Sequence, residues 1–252
     1  MVTAIPPSAP TGRAAARERK NSRGEGAATV KGPRQPLGLE AYAQICRGII
    51  TLAYQPGAIL DEKQLMADLQ LGRTPIREAI LRLAGEGWLE TQPNRGAIVP
   101  PITLQKARAV FEAMRVLELG VANLALAQKI DEQLAAMHRA NEEVVAAITA
   151  NDILRLVDAN HGFHLAYADC AKNEFLYRAC LEVRNQAKRL SYLSYANEID
   201  RNRSLHGHYQ EVIAEHEAVI AALETRDGEG LRGIITSHIN AFQARIVSYM
   251  SS

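Results

Sequence analysis

The sequence predicts a mainly α-helical protein, with a small N-terminal domain built on three helices and a larger all-α bundle behind it. Apolar residues recur at helical spacing over most of the chain beyond residue 37, which is the pattern of amphipathic helices. Strand character is confined to one short segment near residues 89–102. The 252 residues are 47% hydrophobic and 23% charged, which is typical of a soluble globular protein.

Residues 1–36 are expected to form a disordered basic tail, because their Ala, Gly, Pro, Ser and Arg can bury little apolar surface. Charge is divided unevenly along the chain. Residues 1–100 carry 13 Lys and Arg against 9 Asp and Glu, a net +4, whereas residues 101–252 carry 16 against 19, a net −3. A basic front half favours a polyanionic partner, since Lys and Arg displace counterions from phosphates.

The cysteines and the hydropathy indicate a cytoplasmic protein without a membrane partner. Cys46, Cys170 and Cys180 form neither a CxxC pair nor an even set, which argues against a disulfide framework and fits a reducing compartment. No uninterrupted apolar run approaches the roughly 18 residues that span a bilayer, and the N-terminus lacks the apolar region of a signal peptide.

The N-terminal domain, residues 37–101, opens with two predicted helices. The first places its apolar residues on one face and is stopped by Pro56-Gly57. The second begins at Asp61, whose carboxylate can cap it in capping-box register with Gln64, and it ends near Leu69. A tight turn follows.

Thr74 is expected to cap a third helix whose first position is Pro75, where a missing N–H costs nothing. The inward stripe of this helix leaves Arg77 and Arg82 on other faces, with Arg73 just outside the cap. Basic residues therefore gather near its N-terminal end. Two short helices, a tight turn and a basic helix start are what a helix-turn-helix requires, because the first turn of the recognition helix enters the major groove.

The segment LETQPNRGAIVPPI predicts two short strands around Pro93-Asn94-Arg95-Gly96. Such a hairpin is a wing that carries one arginine at its tip. The spacing fits a winged helix-turn-helix that binds double-stranded DNA, and it also fits other small three-helix domains, so spacing alone leaves both interpretations open.

The run LGRTPIREAILRLAGEGWLETQPNRGAIV resembles the winged-helix signature of the GntR superfamily of bacterial transcription regulators. In that signature a (S/T)RTPVREAL-type run is followed by a glycine, an aromatic residue and a wing ending in RG, and the match covers roughly Leu39 to Val99. The resemblance implies DNA contacts at six positions: Lys63, Arg73, Thr74, Arg77, Arg95 and Gly96.

Arginine can bind guanine O6 and N7 bidentately, so Arg73 and Arg77 are the candidates for sequence specificity. Lys63 and the Thr74 hydroxyl are assigned to phosphate. The chain departs from the family pattern at Gly72, where Ser or Thr is frequent, and at Lys63, where arginine is commoner. Glycine has no hydroxyl for a phosphate hydrogen bond, and lysine has no bidentate donor pair.

Residues 104–250 form the predicted all-α domain, since only a helix bundle buries so many helical stripes. Asp131, Asn151 and Asp227 are candidate caps at helix starts. Six amphipathic helices with short connections are expected near residues 104–128, 131–149, 152–170, 173–196, 207–226 and 228–249.

Three histidines of this bundle stand where apolar residues are expected. Asn160 and His164 share the apolar stripe of the third bundle helix at i,i+4 spacing, and His216 and His238 are each bracketed by apolar residues. A single inward histidine is most often a hydrogen-bonded core residue, but several unpaired polar groups inside a bundle are costly. Convergence on one divalent metal ion with an open coordination position would remove that cost.

The segments ANHGFHLAYADCAKNEF and EHEAVIAALETRDGEGLRGIITSH resemble the FadR-type C-terminal ligand-binding (FCD-type) domain that accompanies this DNA-binding head. Its metal-binding members use one carboxylate and three histidines, which by position are Asn160, His164, His216 and His238. Asn160 departs from the usual Asp, and an amide oxygen coordinates without supplying charge. Asp158 and His161 are the alternatives, although Asp158 points away from the stripe and His161 lies at its flank. Zinc is the expected ion, and Mn, Ni or Fe would suit the same N/O ligands.

The segment VFEAMRVLELGVANLALA resembles the opening bundle helix of the same family, in which the residue matching Arg115 often reaches the pocket. This resemblance implies that Arg115 binds an effector, and a guanidinium beside a cation suits a small carboxylic acid. The alternative is a structural ion pair of Arg115 with Glu112 or Glu118. Arg184 and Arg189 are further pocket candidates.

The sequence therefore predicts a homodimeric transcription regulator and not an enzyme. It is expected to repress from a pseudo-palindromic operator, because twofold protein symmetry implies twofold DNA symmetry, and to respond to a small carboxylic-acid effector. One alternative is a DNA-binding protein whose metal only stabilises a dimerisation bundle. A metal-dependent hydrolase is a third possibility, but the chain has no HExxH motif and no inward carboxylate is expected within a turn of the histidines.

Overall fold

The structure, a computed structural model, describes residues 36–92, 96–199 and 204–251. The predicted tail therefore lies outside the described residues except for Pro36, and so does Arg95 at the predicted wing tip. The predicted fold class is confirmed: a winged helix-turn-helix precedes an all-helical domain. The described ranges contain α1 (Leu37–Ile50), β1 (Ile59–Leu60), α2 (Glu62–Leu69), α3 (Arg73–Gly85), β2 (Glu90–Gln92), β3 (Gly96–Ile98), α4 (Leu104–Ala125), α5 (Asp131–Thr149), α6 (Ile153–Asp169), α7 (Glu174–Ala196), α8 (Leu205–Glu224) and α9 (Gly228–Ser251).

Helices α1 to α3 pack around a shared apolar core that includes Ile45, Leu65 and Ile76, all of them buried. Asp61 caps α2 as predicted, because its carboxylate accepts the backbone N–H groups of Lys63 at 2.9 Å and Gln64 at 3.1 Å. These contacts fix the start of the first helix of the helix-turn-helix.

The prediction that Thr74 caps α3 is wrong. The helix begins at Arg73, and Gly72 is its N-cap in an extended conformation without a side-chain cap. Pro75 still falls in the first turn, where backbone N–H groups have no helical acceptor, so the helix can start earlier than expected. Arg73 and Thr74 thereby become first-turn residues.

The three strands form one antiparallel sheet in the order β1-β3-β2. Strand β1 has only two residues, which is too short to produce a periodic signal in the sequence. Gly96 has φ of +85°, and a Cβ at this position would lie 2.9 Å from the carbonyl oxygen of Leu60 on β1. Only glycine fits there without a shift of the backbone.

The six helices α4 to α9 form the bundle. Asp227 caps α9, since its Oδ1 accepts the N–H of Gly230 at 2.9 Å. Asn151 does not cap α6, because it takes a left-handed conformation with φ of 53° and passes the cap position to Asp152. Asp131 lies inside the first turn of α5, whose N-cap is Ile130. None of the helices in the described ranges is long and apolar enough to cross a membrane.

The winged helix and the bundle share a buried apolar cluster, in which Ile45 of α1 lies with Leu156 of α6 and Tyr195 of α7. Two polar contacts from α7 reinforce this packing. Gln186 Nε2 donates to the carbonyl oxygen of Glu86 at 3.1 Å, and Arg189 Nη1 donates to that of Pro100 at 2.9 Å. Helix α7 therefore connects the interior of the bundle directly to the head.

Candidate functional site

A histidine cluster, defined as His164 on α6, His216 on α8 and His238 on α9, lies inside the bundle. One ring nitrogen from each of the three lies within 4.8 Å of the others. All three side chains are buried. The structure thus brings together the three histidines that the helical pattern singled out.

Each ring is held by named partners. His238 Nδ1 lies 2.6 Å from Glu215 Oε2, and His216 Nδ1 lies 3.0 Å from Asn141 Oδ1. Because carboxylate and amide oxygens only accept, both rings carry a proton on Nδ1, which leaves Nε2 as the nitrogen that can bind a metal. The ring of Phe163 stacks on His216 with centroids 3.6 Å apart. Outer contacts of this kind fix ring orientation in metal sites.

The two most enclosed rings are uncharged at neutral pH. Burial, with a smaller contribution from the Arg184 guanidinium, holds the pKa of His164 well below its ordinary value. Burial, together with His238 and Arg184, lowers the pKa of His216 in the same way. Neutral imidazole is the form that binds metals.

Asn160 lies one helical turn before His164 and is only 5% exposed. Within the described part of the chain, its Oδ1 and the Nε2 of His216 are buried without hydrogen-bond partners. Buried acceptors without partners need an explanation, and a cation is one that serves both. The donor set of three imidazoles and one amide oxygen therefore fits a divalent metal ion.

The two alternative ligands from α6 lie elsewhere. Asp158 is exposed and accepts a hydrogen bond from Lys188 Nζ at 2.7 Å. His161 is not part of the histidine cluster, and burial, with Lys188 and Arg184, lowers its pKa to about 3.

A buried ion pair that the sequence did not predict borders the cluster. Arg184 Nε on α7 donates to Glu118 Oε1 on α4 at 2.5 Å, and Arg184 Nη2 lies 2.8 Å from His164 Nδ1. The expectation that no inward carboxylate lies within a turn of the histidines is wrong for Glu215, which precedes His216 and lies 2.6 Å from His238 Nδ1. Glu118 also borders the cluster, from α4. The sequence did carry a sign that Glu118 points inward, because it lies one helical turn after Met114 on the apolar stripe of α4.

A cavity of about 240 Å³ adjoins the cluster. Its lining includes Asn160, Arg184, Tyr195, Glu215, His238 and Arg245. Two guanidinium groups, two of the candidate metal ligands (Asn160 and His238) and the carboxylates of Glu211 and Glu215 thus line the same space. Its polar lining and volume suit a small polar metabolite.

Arg115 is not among the described residues that line this cavity. Its Nη2 donates to Asn240 Oδ1 at 2.6 Å and to Gln243 Oε1 at 3.3 Å, both on α9. The ion pair considered with Glu118 is not formed either, because that carboxylate is taken by Arg184. The structure offers Arg184 and Arg245 as the cavity's arginines in place of Arg115.

On the head, Lys63, Arg73, Thr74 and Arg77 are all exposed around the start of α3. Glu62 on α2 lies close to both arginines, with its carboxylate oxygens 3.8 Å from Arg73 Nε and 3.5 Å from Arg77 Nε. Gly96, the first residue of β3, shares a surface depression with Glu62 and Arg77. The exposed N-terminal turn of a helix with basic side chains can bind phosphate and reach base edges.

Comparison with known proteins gives two family matches. The profile described as bacterial regulatory proteins, gntR family, matches residues 37–99, and the FCD domain profile matches residues 109–241. The chain is similar to the HTH-type transcriptional repressor RspR of Escherichia coli K12, at 23% identity over 84% of this chain and 89% of that protein. It is also similar to the regulator McbR of the same organism, at 28% identity over 71% and 79%.

Solved structures share the fold, among them the following two. That of E. coli McbR/YncC superposes with a TM-score of 0.70 at 22% identity, covering 86% of this chain and 99% of that one. That of a putative GntR regulator from Rhodococcus sp. RHA1 superposes with a TM-score of 0.65 at 20% identity, covering 83% and 97%.

Proposed function

The chain belongs to the gntR family of bacterial regulatory proteins and carries an FCD domain, and from this premise we propose a transcription repressor controlled by a metal-bound carboxylate. The observation that carries the proposal is the convergence of three buried histidines to within 4.8 Å beside a cavity with two arginines. The head supplies the DNA contacts and the bundle supplies the ligand site.

Operator recognition is assigned to the exposed surface at the start of α3. Arg73 and Arg77 reach guanine edges in the major groove, while Lys63 and Thr74 bind phosphates. The negative charge of Glu62 currently faces both arginines. Guanine O6 and N7 replace that carboxylate as the partners of the two arginines when the complex forms.

A divalent cation, with zinc as the first candidate, is assigned to the Nε2 atoms of His164, His216 and His238 and to Asn160 Oδ1. When bound, it supplies a Lewis-acidic position for an oxygen of the effector. The four assigned ligands carry no negative charge, while Glu118 and Glu215 lie just outside them, so the bound cation would be the positive centre available to an anionic ligand. This favours a carboxylate over a neutral metabolite.

The effector is assigned to the adjoining cavity of about 240 Å³, where Arg184 and Arg245 supply guanidinium groups for a carboxylate. Helix α7 links this cavity to the head through Gln186 and Arg189. A ligand that alters the position of α7 therefore has a contiguous route to the winged helix. Coupling requires that the ligand bind two arrangements of the protein unequally.

A homodimer is assigned through the outer face of α4 and the start of α7. Val116, Leu124 and Phe175 expose apolar side chains there, at 73%, 40% and 74% of their full areas. Exposed apolar side chains of this size favour a protein interface. In light scattering, Val116→Glu/Phe175→Glu is expected to give a monomer, whereas Val145→Glu on α5 leaves the dimer intact.

The test of the proposed function combines elemental analysis with a mobility shift, using fragments of genomic DNA from around the gene itself. Wild type is compared with His216→Ala/His238→Ala and with His138→Ala, which removes an exposed histidine that faces Glu224. One metal per chain in wild type and in the control, lost in the double variant, together with a shifted fragment, supports the proposal. DNA binding by a protein that contains no metal would keep the assignment as a regulator and overturn the metal centre. Bound metal without DNA binding would favour the enzyme alternative.

The alternative in which the metal is purely structural predicts a different result. The dimer would contain metal, but no carboxylate would change its DNA binding. In that case the ion only stabilises the dimerisation bundle. A carboxylate screen on the same samples separates the two readings.

A further inference from the structure

Two of the three clustered histidines are already arranged to bind a metal ion, and the third is not. His216 and His238 each donate from Nδ1, to Asn141 and Glu215, so their Nε2 lone pairs are available. His164 has the opposite arrangement. Its Nδ1 lies 2.8 Å from Arg184 Nη2, which can only donate.

The consequence for His164 follows from counting protons. A ring nitrogen that accepts a hydrogen bond carries no proton, and a neutral imidazole has one N–H. Since Nδ1 accepts from Arg184, the proton of His164 sits on Nε2. That N–H points toward the Nε2 of His238, 3.3 Å away, which is free to accept it. An Nε2 that carries a proton cannot bind a metal.

A carboxylate oxygen that could accept a hydrogen bond lies beside the His164 ring. Glu118 Oε2 lies 4.0 Å from His164 Nδ1 and, among the described residues, is buried without a hydrogen-bond partner. The other oxygen of that carboxylate already holds Arg184. A buried carboxylate oxygen without a partner is costly. An N–H on Nδ1 of His164 would satisfy it.

We propose that Arg184 is a latch on the metal site, which holds His164 in the tautomer that cannot ligate and releases it when the metal binds. In the loaded protein His164 donates from Nδ1 to Glu118 Oε2, and its Nε2 lone pair joins those of His216 and His238. The Nε2 proton leaves to solvent and Nδ1 takes one up. The ring therefore stays neutral and no net proton is exchanged.

The exchange changes the effector cavity as well. Arg184 keeps its bond to Glu118 Oε1, but its Nη2 loses the acceptor on His164 and still lines the cavity. The guanidinium is then available to a carboxylate, so metal loading and carboxylate binding strengthen each other. This inference rests on the proposed metal centre, and it assigns to Arg184 a positioning role that the centre alone does not require.

The direct test is ¹⁵N NMR of the full chain with labelled histidine, before and after zinc is added to protein stripped with a chelator. The ¹⁵N signals of the His164 ring are identified as those that are missing from the spectrum of His164→Gln. The proposal predicts an Nε2–H ring for His164 without metal and an Nδ1–H ring with zinc, while His216 and His238 keep Nδ1–H throughout. A His164 that is already Nδ1–H without metal would overturn the latch and leave the metal centre standing.

A second measurement follows zinc affinity by competition with a chelating dye. Arg184→Met removes the donor that opposes ligation and is expected to tighten zinc binding roughly tenfold or more. Lys188→Met makes the same substitution one turn further along α7, on a side chain held by Asp158, and should leave the affinity unchanged. If Arg184→Met fails to fold by circular dichroism, Glu118→Gln/Arg184→Met removes both charges and carries the same expectation. Weaker binding in the folded variant would overturn the latch, and no zinc binding in wild type would overturn the metal centre with it.

Discussion

The Nε2 atoms of His164 and His238 lie 3.3 Å apart although 74 residues separate them in the chain. Packing of α6 against the last helix of the bundle produces this approach, and His216 completes the group from α8. The first two rings are therefore within hydrogen-bonding distance, and the Nε2 of the third is buried without a partner among the described residues. The arrangement favours a cation at this position.

Zinc is expected to stabilise the fold. A ligand that binds only the native state at 100 times its dissociation constant adds about 2.7 kcal/mol to the free energy of unfolding. Urea unfolding of chelator-treated protein, with and without zinc, should show an increase of this size. The same titration should leave His216→Ala/His238→Ala unchanged and His138→Ala responsive, and an equal response in all three proteins would place the zinc elsewhere.

Asn160→Asp is expected to tighten metal binding. The carboxylate keeps the length of the side chain and adds a negative charge next to a cation inside a buried site. An increase in zinc affinity of about tenfold, or about 1.4 kcal/mol, is expected in dye competition. Asp158→Asn changes a carboxylate that points to solvent and serves as the control. Unchanged affinity in Asn160→Asp would remove this side chain from the ligand set.

Glu62→Gln is expected to strengthen operator binding, because it removes the carboxylate that faces Arg73 and Arg77. Arg77→Ala is expected to weaken it by about 1–3 kcal/mol if the side chain reads a guanine. Fluorescence anisotropy on a labelled operator measures both changes. The control Glu143→Gln breaks an exposed ion pair with Arg155 on the bundle and should have no effect. Weaker binding by Glu62→Gln would show that the carboxylate positions the arginines instead of competing for them.

Stability is expected to fall at alkaline pH through two buried thiols. Burial raises the pKa of Cys170 and of Cys180 to about 12, from an ordinary value of 9.0. Their contribution is fully present below pH 9 and is lost as pH rises toward 12, because the unfolded chain ionises first. Each thiol contributes a slope of about 1.4 kcal/mol per pH unit in that window. Urea unfolding at several pH values should show a shallower slope in Cys170→Ala than in wild type.

The sequence predicted the histidines because each interrupts an apolar stripe, and that signal depends only on helical spacing. Glu118 and Arg184 interrupt stripes in the same way, but spacing within one helix does not reveal which residue on another helix will pair with them. The tautomer of His164 depends on that pairing, so it could be obtained only from the packed structure. Arg115 was assigned to the effector pocket by resemblance to the family. In the structure its guanidinium donates instead to the side-chain amides of Asn240 and Gln243 on α9.

The local errors have similar causes. Whether Thr74 or Gly72 caps α3 depends on the backbone conformation at the turn, which both residues permit. Asn151 and Asp152 are equally good caps in sequence, and the left-handed turn at Asn151 decides between them. Strand β1 exists because β3 lies beside it, so two residues alone could not predict it.

The central claim is that the bundle controls the head through a metal-bound carboxylate. The most direct measurement is operator affinity by fluorescence anisotropy in three states of one preparation: metal-free, zinc-loaded, and zinc-loaded with a panel of small carboxylic acids. The account predicts binding in all three states, and a change of about 5- to 150-fold with one carboxylate that is lost in His216→Ala/His238→Ala. Operator affinity that stays the same in every state, with zinc bound and every carboxylate tested, would contradict it.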